Sequence, residues 1–477
     1  MATVTEARPR PYGLSALPKL AANPPGFFLE TLKQRGNLVE INLGSAKLLL
    51  VHHPDDVRHV MQDHARNYGK GSMWVAIRKM VGNGLLGSEG EVWLRQRRLM
   101  QPAFHRQRLG GLATAMTGTI AEMLDSWSEL AAKGQPIDVA RAQADLTMQL
   151  IVRTMFGSGL TADETREIGD AFGTALKLMN TRMWTSFLPI SVPLPGDAKF
   201  RESIQKVDSF VYRLIAKRRN SLTQADDLVG MLLEIRDEET GEGMTDQQVR
   251  DEVFTVFLAG HETTATVMAW VWYVLDKYPE IERKLHRELD GVLAGKLPSM
   301  ATLPKLTYTK MLIEETMRYY PPSWMIPRSV EVDDVISGLP VKKGTTVLIS
   351  PYVVHRHPEY WNDPETFEPE RFHPDRVVPR QAFIPFGSGP RLCIGNSFAM
   401  MEMQLILAMT AQAFRLRLVP GITIKPTTMP TLRPNKPLMM TLETRTKPVS
   451  SATWRIATET GEYAVVPAED STTGERG

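Results

Sequence analysis

The sequence predicts a mainly helical protein with small β-sheets, an α+β arrangement built as one body. Three observations predict it. A helical apolar period dominates from Glu91 to about Leu293. Short alternating apolar runs bounded by turn residues occur near the N-terminus and again after Pro321. No internal repeat or Gly/Ser linker divides the 477 residues, and a 43% hydrophobic, 23% charged composition supplies a large core.

The elements follow in order. The first ~20 residues are rich in proline and arginine and read as extended, within an N-terminal segment spanning 1–25. "VEINLGSAKLLLVHHP" reads as two strands around a Gly-Ser turn. "PDDVRHVMQDHARNYG" opens with proline and acids and closes with glycine, so it reads as a helix. Between Lys70 and Glu89 the pattern becomes a glycine-rich apolar loop. The strongest element is "TDQQVRDEVFTVFLAGHETTATVMAWVWYVLDKYP". Thr245 and Gln248 form a capping box, and Pro279 ends the run after about 50 Å of helix. "LTYTKMLIEETMRYYPP" is a second helix, stopped by its double proline. Short strands follow in "SVEVDDVISGLPVKKGTTVLIS", then an irregular stretch from Pro351 to Pro390. Residues 26–447 form the single domain, and 448–477 read as a polar tail.

Composition excludes several classes of function. Lys plus Arg is 56 and Asp plus Glu is 54, which gives no reason to expect nucleic acid or an acidic membrane as partner. One cysteine, Cys393, forbids an intramolecular disulfide, and a Cys-rich zinc or iron–sulfur site from this chain alone. A reducing, cytoplasmic setting fits that usage. The start of the chain lacks a signal-peptide core, and the apolar run Val267–Leu275 falls far short of the ~20 residues of a membrane span.

The lone cysteine sits in "FGSGPRLCIGNSFAMMEMQL", between glycines and just before a helical run. A helix N-terminus and Arg391 both favour a thiolate. Gly387, Gly389 and Gly395 let backbone N–H groups turn toward the sulfur, because glycine reaches positive φ at low cost. Free cysteines are more often small buried hydrophobes, and composition alone favours that alternative. The ten residues nevertheless match Phe-x-x-Gly-x-Arg-x-Cys-x-Gly through Phe386, Gly389, Arg391, Cys393 and Gly395. This resembles the haem-binding loop of the cytochrome P-450 superfamily, the haem-thiolate monooxygenases. The resemblance implies a triangular helical prism, with haem b between the long central helix and the Cys-loop helix and Cys393 as axial thiolate. Thiolate pushes electron density onto iron and favours O–O cleavage.

The long helix carries "AGHETT", Ala259 to Thr264, in its apolar middle. Glycine there costs about 1 kcal/mol, and a buried acid costs more unless paired. The stretch reads either as a notch beside a reactive centre or as a packed glycine with a satisfied acid–threonine pair. Gly260, Glu262 and Thr263 match the family's Gly-x-acid-Thr stretch. The resemblance implies that Thr263 orients oxygen and a water, and that Glu262 relays protons from solvent. His261 occupies the variable position and takes no catalytic role.

Further roles come by the same resemblance. Trp93, Arg97, Arg328 and Arg391 match haem-propionate residues, and arginine's fork suits carboxylates. Glu315 and Arg318, with Arg371 of "PERF", match a structural ion cluster. Arg95, Arg98, Arg106 and Arg108 exceed what two propionates need, which suggests a docking surface for an acidic electron donor. His355 and His357 lack metal partners at suitable spacing and read as packing residues. Substrate would face Phe257, Ala259, Trp324 and Met325, in a lining whose apolar character favours a terpene, fatty acid, steroid or polyketide. Arg78, Lys79 and Arg182 are cations that a substrate carboxylate would meet. Electrons from a ferredoxin or flavodoxin-type donor and its reductase, with O2, complete the expected reaction. Peroxide-driven chemistry and a non-enzymatic haem sensor are the rival readings, and both fit the acid–threonine pair less well.

Overall fold

Thr245 starts the element that organises the molecule. In the computed structural model, which describes residues 11–44, 46–104, 106–156, 162–184, 192–220, 227–429, 431–446 and 451, its hydroxyl accepts from Gln248 N at 3.2 Å. The Gln248 side chain returns the bond to Thr245 N at 2.8 Å. That capping box opens a helix of 32 residues, Asp246–Lys277, which ends before Pro279 as the sequence predicts. Near-continuous apolar character buries it on most sides, with Val253, Phe254, Phe257, Trp270 and Trp272 almost fully enclosed. In chain order the helices that position the site are α1 (Gly90–Met100), α2 (Val139–Phe156), α3 (Asp246–Lys277), α4 (Thr307–Tyr319) and α5 (Asn396–Ala413).

The strands gather where the alternating patterns lie. They are β1 (Leu38–Leu43), β2 (Ala46–Val51), β3 (Tyr68–Gly69), β4 (Ile326–Val330), β5 (Asp334–Ile336), β6 (Leu339–Val341) and β7 (Thr346–Ile349). A five-stranded sheet runs β1-β2-β7-β4-β3. Only β2 and β7 pair in parallel, with Leu50 opposite Leu348. β5 and β6 form a separate hairpin through Ser337 and Gly338, both at positive φ. Further on, β8 (Pro426–Met429) and β9 (Thr431–Pro434) make a hairpin whose second strand lies against α3.

α2 packs along α3, and Gly260 explains how closely. A Cβ there would stand 2.5 Å from the Ile151 Cδ1 atom. His261 fixes the same contact: its Nε2 lies 3.1 Å from Ala144 O, and Thr147 Oγ1 donates to His261 O at 3.2 Å. Burial pushes the His261 pKa down to about 4, so the ring stays neutral and structural.

Three segments differ from the sequence expectation. Residues 14–22 are helical rather than extended, because Pro18 suits a first helical turn and Ala16 finds a buried site. The Lys70–Glu89 region contains a helix at Val75–Val81, and only from Gly82 onward is it a glycine loop. The helix expected after Pro54 breaks into an α turn to Arg58, a π turn at His59–Asp63 and a 3-10 turn at Ala65–Asn67. The segments named for 1–10 and for 448–477 lie outside the described residues, apart from Ser451.

Candidate functional site

The thiol loop is built by backbone. Gly387 and Gly389 take φ of 76° and 68°, and any Cβ on Gly389 would fall 2.0 Å from the Met61 carbonyl. This turn brings Cys393 N to donate to Phe386 O at 2.9 Å. The Gly395 N–H then points at the sulfur, and α5 begins one residue later. Gly395 itself has φ −89° and only ordinary contacts, so its place in the loop comes from its N–H and not from backbone freedom.

Electrostatics around Cys393 differ in one respect from the sequence reading. Burial raises the thiol pKa, and the Gly395 N–H and the Arg97 charge oppose it without winning. Ionisation therefore needs a stronger partner, and a metal ion is one. The cation acting on the sulfur is Arg97, whose Nη1 donates to Leu392 O at 2.8 Å. Arg391 instead lies over the Trp93 ring at 4.7 Å.

The expected propionate residues converge. Burial, with the Arg391 charge adding to it, lowers Arg328 to about 10. Arg328 sits on β4 with one bond in view, from Nη1 to Pro327 O. Sequence reasoning missed Lys70, which joins them. Its ammonium caps the Leu86 and Ser88 carbonyls at 2.5 and 2.7 Å, and burial followed by Arg391 lowers it to about 7. Glu89 is the acid facing this group, and it also accepts from Arg78. Arg391 Nη1 is buried without a hydrogen-bond partner among the described residues. A half-buried sulfur beside clustered, partly unpaired guanidinium groups fits a cofactor that brings a metal and carboxylates together.

α3 carries the second group of candidates. Val256, Gly260 and Thr263 are half-buried and Ala259 is exposed, on one face of a helix buried elsewhere. Thr263 Oγ1 donates back to Ala259 O at 2.7 Å. Glu262 accepts from Thr431 Oγ1 at 3.0 Å and faces Arg433 at 3.7 Å. Burial raises its pKa, with Arg433 and Thr431 opposing. Thr431 and Arg433 lie on β9, about 170 residues further along the chain, and no local pattern announces them.

The remaining candidates separate. Phe257 is two residues from Ala259, about 200° round the helix, and packs between Phe156 and Phe172. Trp324 is buried against Phe28. Both are core residues and not substrate-facing ones, whereas Ala259 and Met325 remain reachable. Glu315, Arg318 and Arg371 come together as expected: Arg318 binds Glu315 through two bonds of 2.6 and 2.8 Å, and Arg371 lies 3.7 Å away. His355 joins this cluster to the loop by accepting from Ile384 N at 2.9 Å, and His357 bonds Asn37, so both histidines are structural. Arg95 and Arg98 pair with the enclosed Asp237, and with Glu242 and Glu239, so the docking role expected of them is corrected to clamping that turn. The side chains of Arg106, Arg108 and Arg182 lie outside the described residues.

Comparison with known proteins agrees with this geometry. The family model for Cytochrome P450 matches residues 10–442. The chain is 36% identical to a cyclooctat-9-en-7-ol 5-monooxygenase of Streptomyces melanosporofaciens, over 83% of this chain and 86% of that protein. It is 35% identical to a pentalenene oxygenase of Streptomyces avermitilis, over 88% and 93%. The crystal structure of the cytochrome P450DA heme domain superposes with a TM-score of 0.81 at 25% identity, over 90% of this chain and 95% of that one. No helix among the described residues is long and apolar enough to cross a membrane. Matched across nearly its whole length, the chain belongs to the cytochrome P450 family and is a cytochrome P450 monooxygenase, an enzyme of haem, O2, a substrate and a redox partner.

Proposed function

We propose that the enzyme inserts one oxygen atom from O2 into an apolar, cyclic hydrocarbon skeleton of the terpene type, by hydroxylation or epoxidation. Haem b would be the cofactor, with the Cys393 sulfur as the ligand to its iron. When bound, haem supplies the oxygen-activating redox chemistry. Trp93, Arg97, Arg328 and Arg391 would hold its carboxylates, with the Lys70 ammonium nearby but engaged on the Leu86 and Ser88 carbonyls, and Phe386 would shield one side of the sulfur. Electrons come from a separate ferredoxin or flavodoxin-type donor with its reductase. The lone cysteine supports a cytoplasmic setting.

The observation that carries this reading is the α3 face. Ala259 leaves room there, and Thr263 presents a hydroxyl held by one back-bond. Glu262 stands next to it with a raised pKa and is still partly reachable by solvent. A carboxyl so placed relays protons from solvent, while the Thr263 hydroxyl orients oxygen and a water. Arg433 orients it. Such a relay serves O2 activation, which consumes protons. The names of the relatives, an -ene and an -en-ol, support the substrate class.

The test is a ligand screen on the haem-loaded enzyme, reading the spin state of ferric iron. Cyclic hydrocarbons should shift it at micromolar concentration, and fatty acids should not. A response to fatty acids or steroids alone would overturn the substrate class. Cys393→Ser should abolish the thiolate-type carbon monoxide spectrum, and its survival would overturn the ligand assignment.

A further inference from the structure

On the turn that carries Met61, three side chains with metal-ligating atoms meet that take no part in the chemistry above. His59 and His64 bracket the π turn. Its closing bond, His64 N to His59 O at 2.9 Å, spans five residues. That spacing brings the two imidazoles face to face at a tilt of 34°, with centroids 4.0 Å apart. An α turn at this point would rotate them off each other. π turns are rare and concentrate at functional sites.

Asp334, at the start of the β5–β6 hairpin, brings the third ligand from about 270 residues away. Its Oδ2 lies 3.0 Å from His59 Nε2 and 3.5 Å from His64 Nδ1. One ligand atom from each of the three residues falls within 4.8 Å of the others. The carboxylate is itself oriented: Tyr68 OH donates to Oδ2 at 2.7 Å, and Val335 N to Oδ1 at 2.7 Å. Exposure is graded, at 12% for Asp334, 23% for His59 and 49% for His64. One side of the cluster is thus open to water.

We propose that His59, His64 and Asp334 form a binding site for a divalent transition-metal cation of the zinc class, separate from the haem iron. Two imidazoles and one carboxylate are a common zinc donor set, with water in the fourth position. Bonds of about 2.0–2.2 Å in a tetrahedron set ligand atoms about 3.3 Å apart, which the two distances to Asp334 already bracket. Tyr68 is the outer partner that fixes the carboxylate. The cation would pin the π turn to the hairpin, and so steady Met61, whose carbonyl lies under Gly389 of the thiol loop.

The test uses the haem-loaded full chain, stripped of loosely held metal, and titrated with Zn2+ by calorimetry. One equivalent should bind. His59→Ala and His64→Ala should each abolish it, Tyr68→Phe should weaken it about 10-fold, and His53→Ala, whose ring instead meets that of His357 at 5.3 Å, should leave it unchanged. Zn2+ should also raise the melting temperature of the wild type and not that of His64→Ala. Equal uptake by the wild type and a His59→Ala/His64→Ala double variant, or no uptake by the wild type, would overturn the proposal. If the variants lose haem, zinc-edge X-ray absorption of the wild type decides. Two imidazole ligands support the site, and an all-oxygen shell overturns it.

Discussion

Two carboxylates, one enclosed and one partly exposed, show what separates scaffold from working site. Glu315, on α4, is fully enclosed, held by two bonds from Arg318 and one from Glu368 N, with Arg371 alongside. Arg318 uses its remaining donors on the carbonyls of His355, Pro364 and Thr366. Glu262, on α3, has one hydroxyl donor and one arginine that is nearly half exposed. The first carboxylate cannot change protonation without leaving several groups unsatisfied. The second can, at little structural cost. Saturation marks the acid that holds the fold, and incomplete pairing marks the acid that moves a proton.

The comparison can be broken at three places. The largest effect is expected at Arg318→Ala, which strips Glu315 of its two closest bonds and leaves it in the core with only the Glu368 N–H and the more distant Arg371. Such a loss costs about 3–5 kcal/mol, read by chemical denaturation together with haem retention. A change below about 1 kcal/mol would mean that the cluster does not hold the fold. Glu262→Gln should act the other way round. Turnover should fall about 10²-fold, in the range of lost proton transfer, with stability nearly unchanged. A large loss of stability with normal turnover would place Glu262 with the scaffold.

A third acid sharpens the rule. Glu402, on α5, is fully buried; the Thr264 hydroxyl faces it, but neither oxygen has a well-formed hydrogen bond among the described residues. Burial raises its pKa from 4.5 to about 8. Between those values the folded chain keeps a proton that the unfolded chain has lost, so stability falls as pH rises through that window. Glu402→Gln removes this dependence. The variant should match the wild type near pH 4.5 and gain on it steadily toward pH 8, as measured by denaturation at several pH values. Parallel pH profiles would show that Glu402 is ionised throughout.

How much was legible follows from where the information lies. The capping box, Pro279 and the apolar middle of α3 are local signals, and the helix formed between them as read. The glycines around Cys393 are equally local, although their roles divide: Gly389 is needed for close approach and Gly395 for its N–H. Phe257 and Trp324 misled because an apolar residue near a pocket and one in the core look alike in sequence. Arg95 and Arg98 misled because charge alone does not show whether a partner waits 140 residues away.

By itself the sequence determined the long helix, the turn that carries the sulfur, and the residue types needed for the chemistry, since each depends on neighbours a few positions apart. Tertiary structure alone decided which acids are saturated and which are free, that Lys70 joins the arginines, and that two histidines on a π turn meet Asp334. Those outcomes rest on groups up to about 320 residues apart in the chain. Distance in the chain leaves no periodicity to read, and only packing brings such groups within bonding range.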